Sequence, residues 1–339
     1  MKISSARTTV VGTPWRELVF LELETDTGLV GTSEVRMVSR TETLLACFDV
    51  ACWDIIGQSL GVPVWKLLGG KFHDRVLAYA NGWYQTDRQP AKIAGLAKDV
   101  VAKGYRGLKL DPFGHAAAEL SSADRRHAMS IVAAVREAVG PDISIMLEMH
   151  GRFTPSTAAA VAKALEPFDP EWIEEPTPPE NALAYRAVRN ATHLPIATGE
   201  RAHAMEDIRG FIEGGLVDIV QVDLTHFGGF LPMKKLAGWA EVYALNMAPH
   251  NVCGPVGTMA NLHFAVATPN YKVLEHFNDF ADSWVHDLVD HSPRIDPADG
   301  CFVAPDRPGL GLKLNHDACA KHPRTGGRIK LFEKGWEKR

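Results

Sequence analysis

The chain has 339 residues, of which 46% are hydrophobic, and a formal net charge of −5 at pH 7. This composition supports a large core and gives no sign of a surface for nucleic acid or acidic membrane. No apolar run approaches the roughly 18 residues of a membrane span, the first ten residues lack the apolar core of a signal peptide, and the five scattered cysteines form neither a disulfide framework nor a zinc pattern. We therefore expect a cytoplasmic protein without a nucleic-acid or membrane partner.

Residues 1–75 are predicted to form a small α+β unit. Residues 17–25 and 29–34 have strand character on either side of Asp26-Thr27-Gly28, which predicts a hairpin. Residues 48–60 have helical spacing, and Gly61-Val62-Pro63 ends that helix. The apolar residues of the helix share one face: Phe48, Cys52, Ile55, Ile56 and Leu60.

From residue 76 the pattern changes to short β-rich runs that alternate with amphipathic stretches. The runs are 76–80, 107–110, 144–148, 172–174, 196–200, 219–223, 243–250 and 273–275. The amphipathic stretches include 91–103, 124–139, 156–165 and 231–241. Eight strands spaced in this way predict a (β/α)₈ barrel over residues 76–295 rather than an open sheet. The loop-rich segment 296–339 is expected to pack back on the N-terminal unit.

Ionisable side chains stand at the ends of these runs, from the second run to the eighth. They are Lys109, Asp111, Glu148, His150, Glu174, Glu175, Glu200, Arg201, Asp223, His250, Glu275 and His276. Barrel enzymes place their chemistry at the carboxyl ends of the strands, and a purely structural barrel has no need of this convergence. Carboxylates so close together would repel one another, so a bound cation is implied.

Three of the glutamates come from successive strands at intervals of 26 residues: Glu148, Glu174 and Glu200. Three oxygen ligands with open positions suit a hard divalent ion such as Mg²⁺. The alternative is a set of surface glutamates paired with helical cations, although each of them ends an apolar run. Strand alternation predicts that Glu175 turns away from Glu174 and that His150 points the same way as Glu148.

Asp223 and His250 end adjacent strands. A carboxylate beside an imidazole orients the ring and raises its basicity, so His250 is a candidate general base. The alternative is a structural histidine capped by an aspartate.

The order of these motifs resembles the enolase superfamily, in its mandelate racemase subgroup. The series is Lys-x-Asp at 109–111, Glu-x-His at 148–150, Glu-Glu-Pro at 174–176, Gly-Glu-Arg at 199–201, and then Asp223, His250 and Glu275. Segments 49–55 and 67–70 resemble the part of those proteins that joins a capping domain to the barrel. The resemblance implies an α/β fold, a modified (β/α)₈ TIM barrel with an N-terminal α+β capping domain completed by C-terminal residues.

The resemblance also implies Mg²⁺-assisted removal of the proton next to a carboxylate. The metal and Lys109 would stabilise the enediolate that develops, and Glu275 would hydrogen-bond the enediolate or the substrate. His150 matches the general acid of acid-sugar dehydratases that resemble the galactonate and gluconate dehydratases. A base, His250, and a separate acid are the equipment for β-elimination of water from an aldonate, which yields a 2-keto-3-deoxy acid.

Two departures from the family pattern leave other functions open. Asp111 stands where a racemase of this subgroup carries a second lysine, the base on the other face of the α-carbon, so its presence disfavours a racemase. A racemase, epimerase or cycloisomerase is nevertheless the alternative on this scaffold. Relatives also have a longer cap segment before the helix at 48–60, so the 46/47 junction marks a deletion or absent residues, and substrate specificity depends on that segment. A catalytically silent binding protein is the alternative of another class.

Four further residues are predicted to contact the substrate: Asp111, Arg152, Arg201 and Trp83. The two arginines could equally balance the glutamates, and the tryptophan could equally pack in the core. The resemblance implies a homo-oligomer, a dimer or an octamer, and an acid sugar as the small-molecule partner.

Overall fold

The computed structural model describes residues 1–14, 17–35 and 41–324. Its first unit, the cap, is an antiparallel sheet with a helix packed on it. The elements of the cap are β1 (Ile3–Gly12), β2 (Glu17–Thr25), β3 (Val30–Val35), α1 (Thr41–Leu60) and α2 (Val64–Leu67). The strands pair in the order β1–β2–β3. Gly28 takes a φ of 81° in the turn between β2 and β3, and the predicted hairpin is confirmed.

The second unit is a ring of parallel strands that alternate with helices. Along the chain these elements are β4 (Val76–Ala80), α3 (Pro90–Ala102), β5 (Gly107–Leu110), α4 (Ser122–Val139), β6 (Ser144–Glu148), α5 (Pro155–Leu165), β7 (Trp172–Glu174), α6 (Ala182–Arg189), β8 (Ile196–Thr198), α7 (Met205–Glu213), β9 (Ile219–Val220), α8 (Phe230–Val242), β10 (Asn246–Met247), α9 (Pro255–Val266) and β11 (Leu274–His276). Each strand is parallel to its neighbour in the order β11–β4–β5–β6–β7–β8–β9–β10. A parallel bridge between Met247 and Tyr271 closes the ring, which confirms the predicted barrel.

Residues after the barrel return to the cap. The last elements are β12 (Cys301–Phe302), which pairs antiparallel with β4, and α10 (His316–Ala320). His316 contacts Glu22 of β2, with 3.0 Å between Nε2 and Oε1, and the Gly12 N–H donates to the His322 carbonyl at 2.9 Å. The C-terminal residues therefore complete the cap. The domain limits at residues 75/76 and 295/296 stay predictions, and residues 325–339 of the predicted C-terminal segment lie outside the described ranges.

The strand bounds explain where the polar side chains lie. The first four predicted barrel strands have the bounds of β4 to β7. In contrast, β8, β9 and β10 end before Glu200, Asp223 and His250, which the sequence analysis placed inside the strands. At β8 the break has a visible cause, because Gly199 has a φ of 135°. These three functional candidates therefore lie in the loops that leave the strands.

Helix α1 begins at Thr41 rather than at residue 48 and runs without a break through the 46/47 junction. Its buried side chains include Cys47, Val50, Ala51 and Ile55. Of the predicted apolar face, Ile55 is buried against the sheet and Cys52 packs partly buried beside it, whereas Phe48, Ile56 and Leu60 are 40%, 40% and 63% exposed. The periodicity of the sequence predicts that α1 has an apolar side. The position of the sheet decides which residues on and beside that side are buried. Among helices of the described ranges, α1 included, none has the length and apolar character to cross a membrane.

A layer of apolar side chains fills the barrel below the functional strand ends. Its members are Tyr79, Met146, Trp172, Ala197, Ile219, Ala248 and Val273. The rings of Tyr79 and Trp172 meet edge to face with centroids 5.5 Å apart. This packed apolar layer lies inside the barrel, beneath the polar residues at the strand ends.

Two buried carboxylates of the cap fasten it to the rest of the chain. Glu34 accepts hydrogen bonds from the N–H groups of Gly254 (2.6 Å) and Gly257 (3.0 Å), at the start of α9 and shortly after His250. Asp54 of α1 accepts from the Thr32 N–H at 2.7 Å and from the Leu310 N–H at 2.8 Å.

We predict that Asp54→Asn lowers the free energy of unfolding by about 1–3 kcal/mol, because the amide nitrogen must face one of two buried N–H donors. Urea unfolding at a fixed metal concentration measures the loss. Asp26→Asn, at the exposed hairpin turn, is the matched control and should change stability by less than about 0.5 kcal/mol. Equal stability of the two variants would contradict the role of Asp54 as a link between the cap and the C-terminal residues.

Candidate functional site

Three carboxylates meet at the carboxyl ends of neighbouring strands and form the acidic cluster (Glu148, Glu174 and Glu200). One potential ligand atom from each lies within 4.8 Å of those from the other two. Glu148 and Glu174 end β6 and β7 and are directly paired in the sheet, and Glu200 lies two residues after β8. Burial and repulsion from Glu148 raise the pKa of Glu174 well above its usual range. The predicted metal ligands are thus brought together.

Lys109 of β5 lies among these carboxylates. Its Nζ is 2.6 Å from Glu174 Oε1, 3.4 Å from Glu148 Oε2 and 2.8 Å from Glu275 Oε1. Burial alone would favour the neutral amine, but the attraction of Glu174 and Glu275 outweighs it and raises the pKa of Lys109 well above its usual value. A buried, charged ammonium therefore borders the acidic cluster.

The charges at this site do not balance. Four carboxylates (Glu148, Glu174, Glu200 and Glu275) contact two cationic side chains, Lys109 and Arg201. If all four carboxylates were ionised and the imidazoles neutral, these groups would have a formal charge of −2, and burial and mutual repulsion raise the pKa of Glu148 and of Glu174 in response. A hard divalent cation held by the three oxygen ligands of the acidic cluster would neutralise that charge, so the donor set fits such an ion.

Glu174 is held from below by two side chains. Trp172 Nε1 and Gln221 Nε2 donate to its Oε2 at 3.1 and 2.9 Å, while Lys109 occupies Oε1. The sequence analysis did not single out Gln221. The available signal was its position, because Gln221 directly follows β9, at the rim where the other site residues lie.

Glu175 serves the neighbouring strand. It has a φ of 45°, and its Oε1 accepts from the hydroxyl of Thr198 and, at 3.0 Å, from the N–H of Gly199. Its carbonyl accepts from the Gly151 N–H at 2.7 Å. Burial, with added repulsion from Glu200, raises the pKa of Glu175 to about 7. Glu175 thus connects the ends of β6, β7 and β8. It turns away from Glu174, but the prediction was wrong in its reason, because β7 ends at Glu174 and the positive φ of Glu175, rather than strand alternation, sets its direction.

Asp223 and His250 form the β9–β10 dyad. His250 Nδ1 is 2.8 Å from Asp223 Oδ2, and both side chains are buried. Asp223 Oδ1 accepts from the N–H and the hydroxyl of Thr225, at 2.8 and 2.6 Å. The other ring nitrogen of His250 lies 3.6 Å from Glu200 Oε2. Asp223 therefore fixes the ring so that Nε2 faces the acidic cluster.

His150 also has an aspartate partner, and the two form the β5–β6 dyad (Asp111 and His150). Its Nδ1 lies 2.7 Å from Asp111 Oδ2, and its backbone N–H donates to Glu148 Oε1 at 2.6 Å. The sequence analysis predicted that strand alternation points His150 the same way as Glu148. That reason was wrong, because β6 ends at Glu148 and His150 has a φ of 51°. The turn, not the strand, sets the direction of the ring. Burial lowers the pKa of His150 to about 4.

The residues predicted to contact substrate differ in their surroundings. Asp111 and Arg152 are buried and bond each other, and Arg152 also donates to the carbonyls of Met149 and Gly114 at 2.9 and 2.7 Å. Trp83 donates its indole N–H to the Lys109 carbonyl at 2.9 Å.

Arg201 is the most accessible of the predicted substrate contacts, with 36% of its side chain exposed. It donates to the His150 carbonyl and borders a cavity of about 330 Å³ beside β8 and α7. Substrate contact by Arg201 stays a prediction.

Glu275 of β11 has donors on both oxygens. Oε1 accepts from Asn81 Nδ2 at 2.8 Å and contacts Lys109, and Oε2 accepts from the Asn251 N–H at 2.7 Å. Attraction to Lys109 outweighs burial and lowers the pKa of Glu275. Glu275 is therefore an ionised acceptor that links Lys109 to the loop after His250.

The chain is similar to known families and proteins. Residues 92–318 match the family described as Enolase C-terminal domain-like. D-gluconate dehydratase from Thermoproteus tenax is 38% identical over 291 residues, which cover 86% of this chain and 58% of that protein. D-gluconate/D-galactonate dehydratase from Picrophilus torridus is 38% identical over 277 residues, which cover 82% of this chain and 70% of that protein.

The fold is also that of a solved structure. The mandelate racemase/muconate lactonizing enzyme from Jannaschia sp. CCS1 superposes with a TM-score of 0.89 at 30% identity, covering 97% of this chain and 99% of that one. The chain thus spans less than two thirds of the Thermoproteus protein but nearly all of the Jannaschia one. These findings confirm the resemblance that the motifs predicted.

We predict that Glu148→Gln, Glu174→Gln and Glu200→Gln each weaken Mg²⁺ binding at least roughly tenfold, since each removes a charged ligand. Titration calorimetry of the metal-free protein measures the affinity. The matched control is Glu171→Gln, which alters a carboxylate paired with Lys272 at 2.7 Å, and its affinity should equal that of the unaltered protein. A crystal soaked in Mg²⁺ that holds the ion away from the acidic cluster would overturn the assignment.

Proposed function

Since the chain belongs to the enolase superfamily, we propose that it is a Mg²⁺-dependent lyase that removes water from an acid sugar. Its relatives named above are dehydratases of gluconate and galactonate, so an aldonate of this kind is the proposed substrate and a 2-keto-3-deoxy acid the product. The proposal is for a cytoplasmic homo-oligomer whose acid-sugar partner enters at the carboxyl ends of the barrel strands.

One observation carries this proposal: two histidine–aspartate dyads flank the acidic cluster. The ligand candidates lie on β6, β7 and β8, whereas the dyads lie on β5–β6 and β9–β10. β-Elimination of water needs one group that removes a proton and another that protonates the departing hydroxyl. Separate imidazoles on the two flanks of a metal site meet that need.

His250 is the proposed base. Asp223 accepts a hydrogen bond from Nδ1–H, so Nε2 has the lone pair that takes the proton from C2 of the substrate. The Asp223 carboxylate also stabilises the imidazolium that results. Lys109 places a fixed positive charge where the substrate carboxylate gains negative charge. A Mg²⁺ ion on the acidic cluster would supply further electrostatic stabilisation of that charge.

His150 is the proposed acid. Its Nε2 delivers a proton to the C3 hydroxyl as the C3–O bond breaks, and water leaves. The enol that remains takes up a proton and becomes the 2-keto-3-deoxy acid. The acid role requires the imidazolium form. Burial lowers the pKa of His150 and disfavours that form, whereas the negative charges of Glu200 and Glu174 favour it.

A racemase or epimerase is the second candidate, and the same two dyads favour it. Two imidazoles on opposite flanks could remove and return a proton on opposite faces of C2. The presence or absence of water loss distinguishes this candidate from the dehydratase.

The test of the function is turnover of a panel of aldonates with Mg²⁺, followed by a colour reaction for 2-keto-3-deoxy acids. We expect at least one aldonate to react and the signal to vanish when a chelator removes the metal. Inversion at C2 without a colour reaction would support the epimerase. If Mg²⁺ binds but no acid sugar reacts, the catalytically silent binding protein replaces the proposal.

We predict that His250→Asn blocks both water loss and exchange of the C2 hydrogen with deuterated solvent, because both need the base. His150→Asn should slow water loss by about 10²–10⁴-fold yet leave C2 exchange running, because removal of the proton does not need the acid. Proton NMR in D₂O follows both reactions at once.

The control for these variants is His193→Asn, which alters an exposed histidine and should change neither rate. Exchange that survives in His250→Asn but stops in His150→Asn would reverse the two roles.

A further inference from the structure

Asp111 is fixed by contacts on both of its carboxylate oxygens. Oδ2 contacts His150 Nδ1 at 2.7 Å and the Arg152 guanidinium, and Oδ1 accepts from the Phe113 N–H at 2.9 Å. The Asp111 side chain has no exposed surface. A carboxylate in these surroundings cannot turn toward a substrate without breaking these three contacts, so direct substrate contact by Asp111 is disfavoured.

These contacts determine the protonation pattern of the His150 ring. A guanidinium can only donate and an ionised carboxylate can only accept, so the proton between His150 and Asp111 belongs to His150 Nδ1. Arg152 Nη2 also lies 3.3 Å from that nitrogen, but the shorter contact with Asp111 decides between them. In the neutral ring, the Nε2 lone pair therefore points away from Asp111.

The arrangement repeats the β9–β10 dyad in detail. In both dyads Oδ2 of the aspartate holds the histidine Nδ1, at 2.7 Å for Asp111 and 2.8 Å for Asp223. In both, Oδ1 accepts from the backbone N–H two residues later, that of Phe113 or Thr225. A hydrogen bond from the backbone N–H two residues later fixes the orientation of the aspartate side chain without any bound ligand.

We propose that Asp111 is the positioning residue of His150, as Asp223 is of His250, and that Arg152 holds Asp111 in place. The inference rests on the proposed function in so far as His150 acts on the substrate. In contrast to the sequence prediction, Asp111 and Arg152 do not contact the substrate in this proposal but hold the His150 imidazole in position.

The first test compares Asp111→Asn with the unaltered enzyme in the D₂O assay. If the amide nitrogen faces His150, it imposes the other tautomer; if the amide oxygen does, the charge that stabilises the imidazolium is lost. In either case we expect water loss to slow by about 10²–10⁴-fold while C2 exchange stays within a few-fold.

Asp223→Asn is the matched variant of the other dyad and should slow water loss and exchange together. Asp54→Asn is the structural control, because it removes a buried carboxylate far from the reaction and should leave the ratio of exchange to water loss unchanged. If Asp111→Asn behaves like Asp54→Asn, or slows both reactions equally, the positioning role is overturned.

The second test needs no substrate. In ¹⁵N-histidine spectra of the Mg²⁺-loaded protein, the His150 ring, assigned by the signal missing in His150→Asn, should carry its proton on Nδ1 at neutral pH. Asp111→Asn should shift the Nδ1 resonance or move the proton to Nε2, and an unchanged His150 spectrum would overturn the inference. If no acid sugar reacts but the His150 signal responds as expected, the proposed function fails and the Asp111–His150 pairing stands.

Discussion

Repulsion among buried carboxylates is the constraint around which this molecule is built. Glu148, Glu174 and Glu275 all lie within 3.4 Å of one ammonium, that of Lys109, and Glu200 completes the acidic cluster beside them. Burying ions is costly unless opposite charges and hydrogen bonds compensate. The barrel supplies the compensation through Lys109, backbone N–H groups and the side chains beneath, and a divalent cation would supply the rest.

The topology makes this concentration of charge possible. In a parallel ring every strand ends at the same rim, so one polar residue from each of several strands converges without long loops. Glu148 and Glu174 are neighbours in register, and the apolar layer that contains Trp172 supports them from below. The cap then reaches the rim through Glu34, whose carboxylate holds the start of α9.

Much of this could be predicted from the sequence, because the decisive patterns are local. Strand-like runs that end in ionisable residues predicted the barrel and its acidic rim. The pairing of His150 with Asp111 could not be predicted, since it depends on a left-handed turn after β6 and on the register of β5 against β6. The buried side of α1 could not be predicted either, because the periodicity of the sequence does not show where the sheet lies.

The two dyads have the same geometry but different electrostatic surroundings, and this difference supports distinct roles. Asp223 is held by an N–H and a hydroxyl of Thr225, which are neutral donors, whereas Asp111 shares its Oδ2 with the guanidinium of Arg152. A guanidinium on the same oxygen draws charge away from the imidazole and weakens its hold on a proton. The proposed acid, His150, therefore has a cation on its aspartate, whereas the aspartate of the proposed base, His250, contacts the hydroxyl of Thr225. Under the proposed function, Arg152 is then the residue that distinguishes two dyads that otherwise have the same geometry.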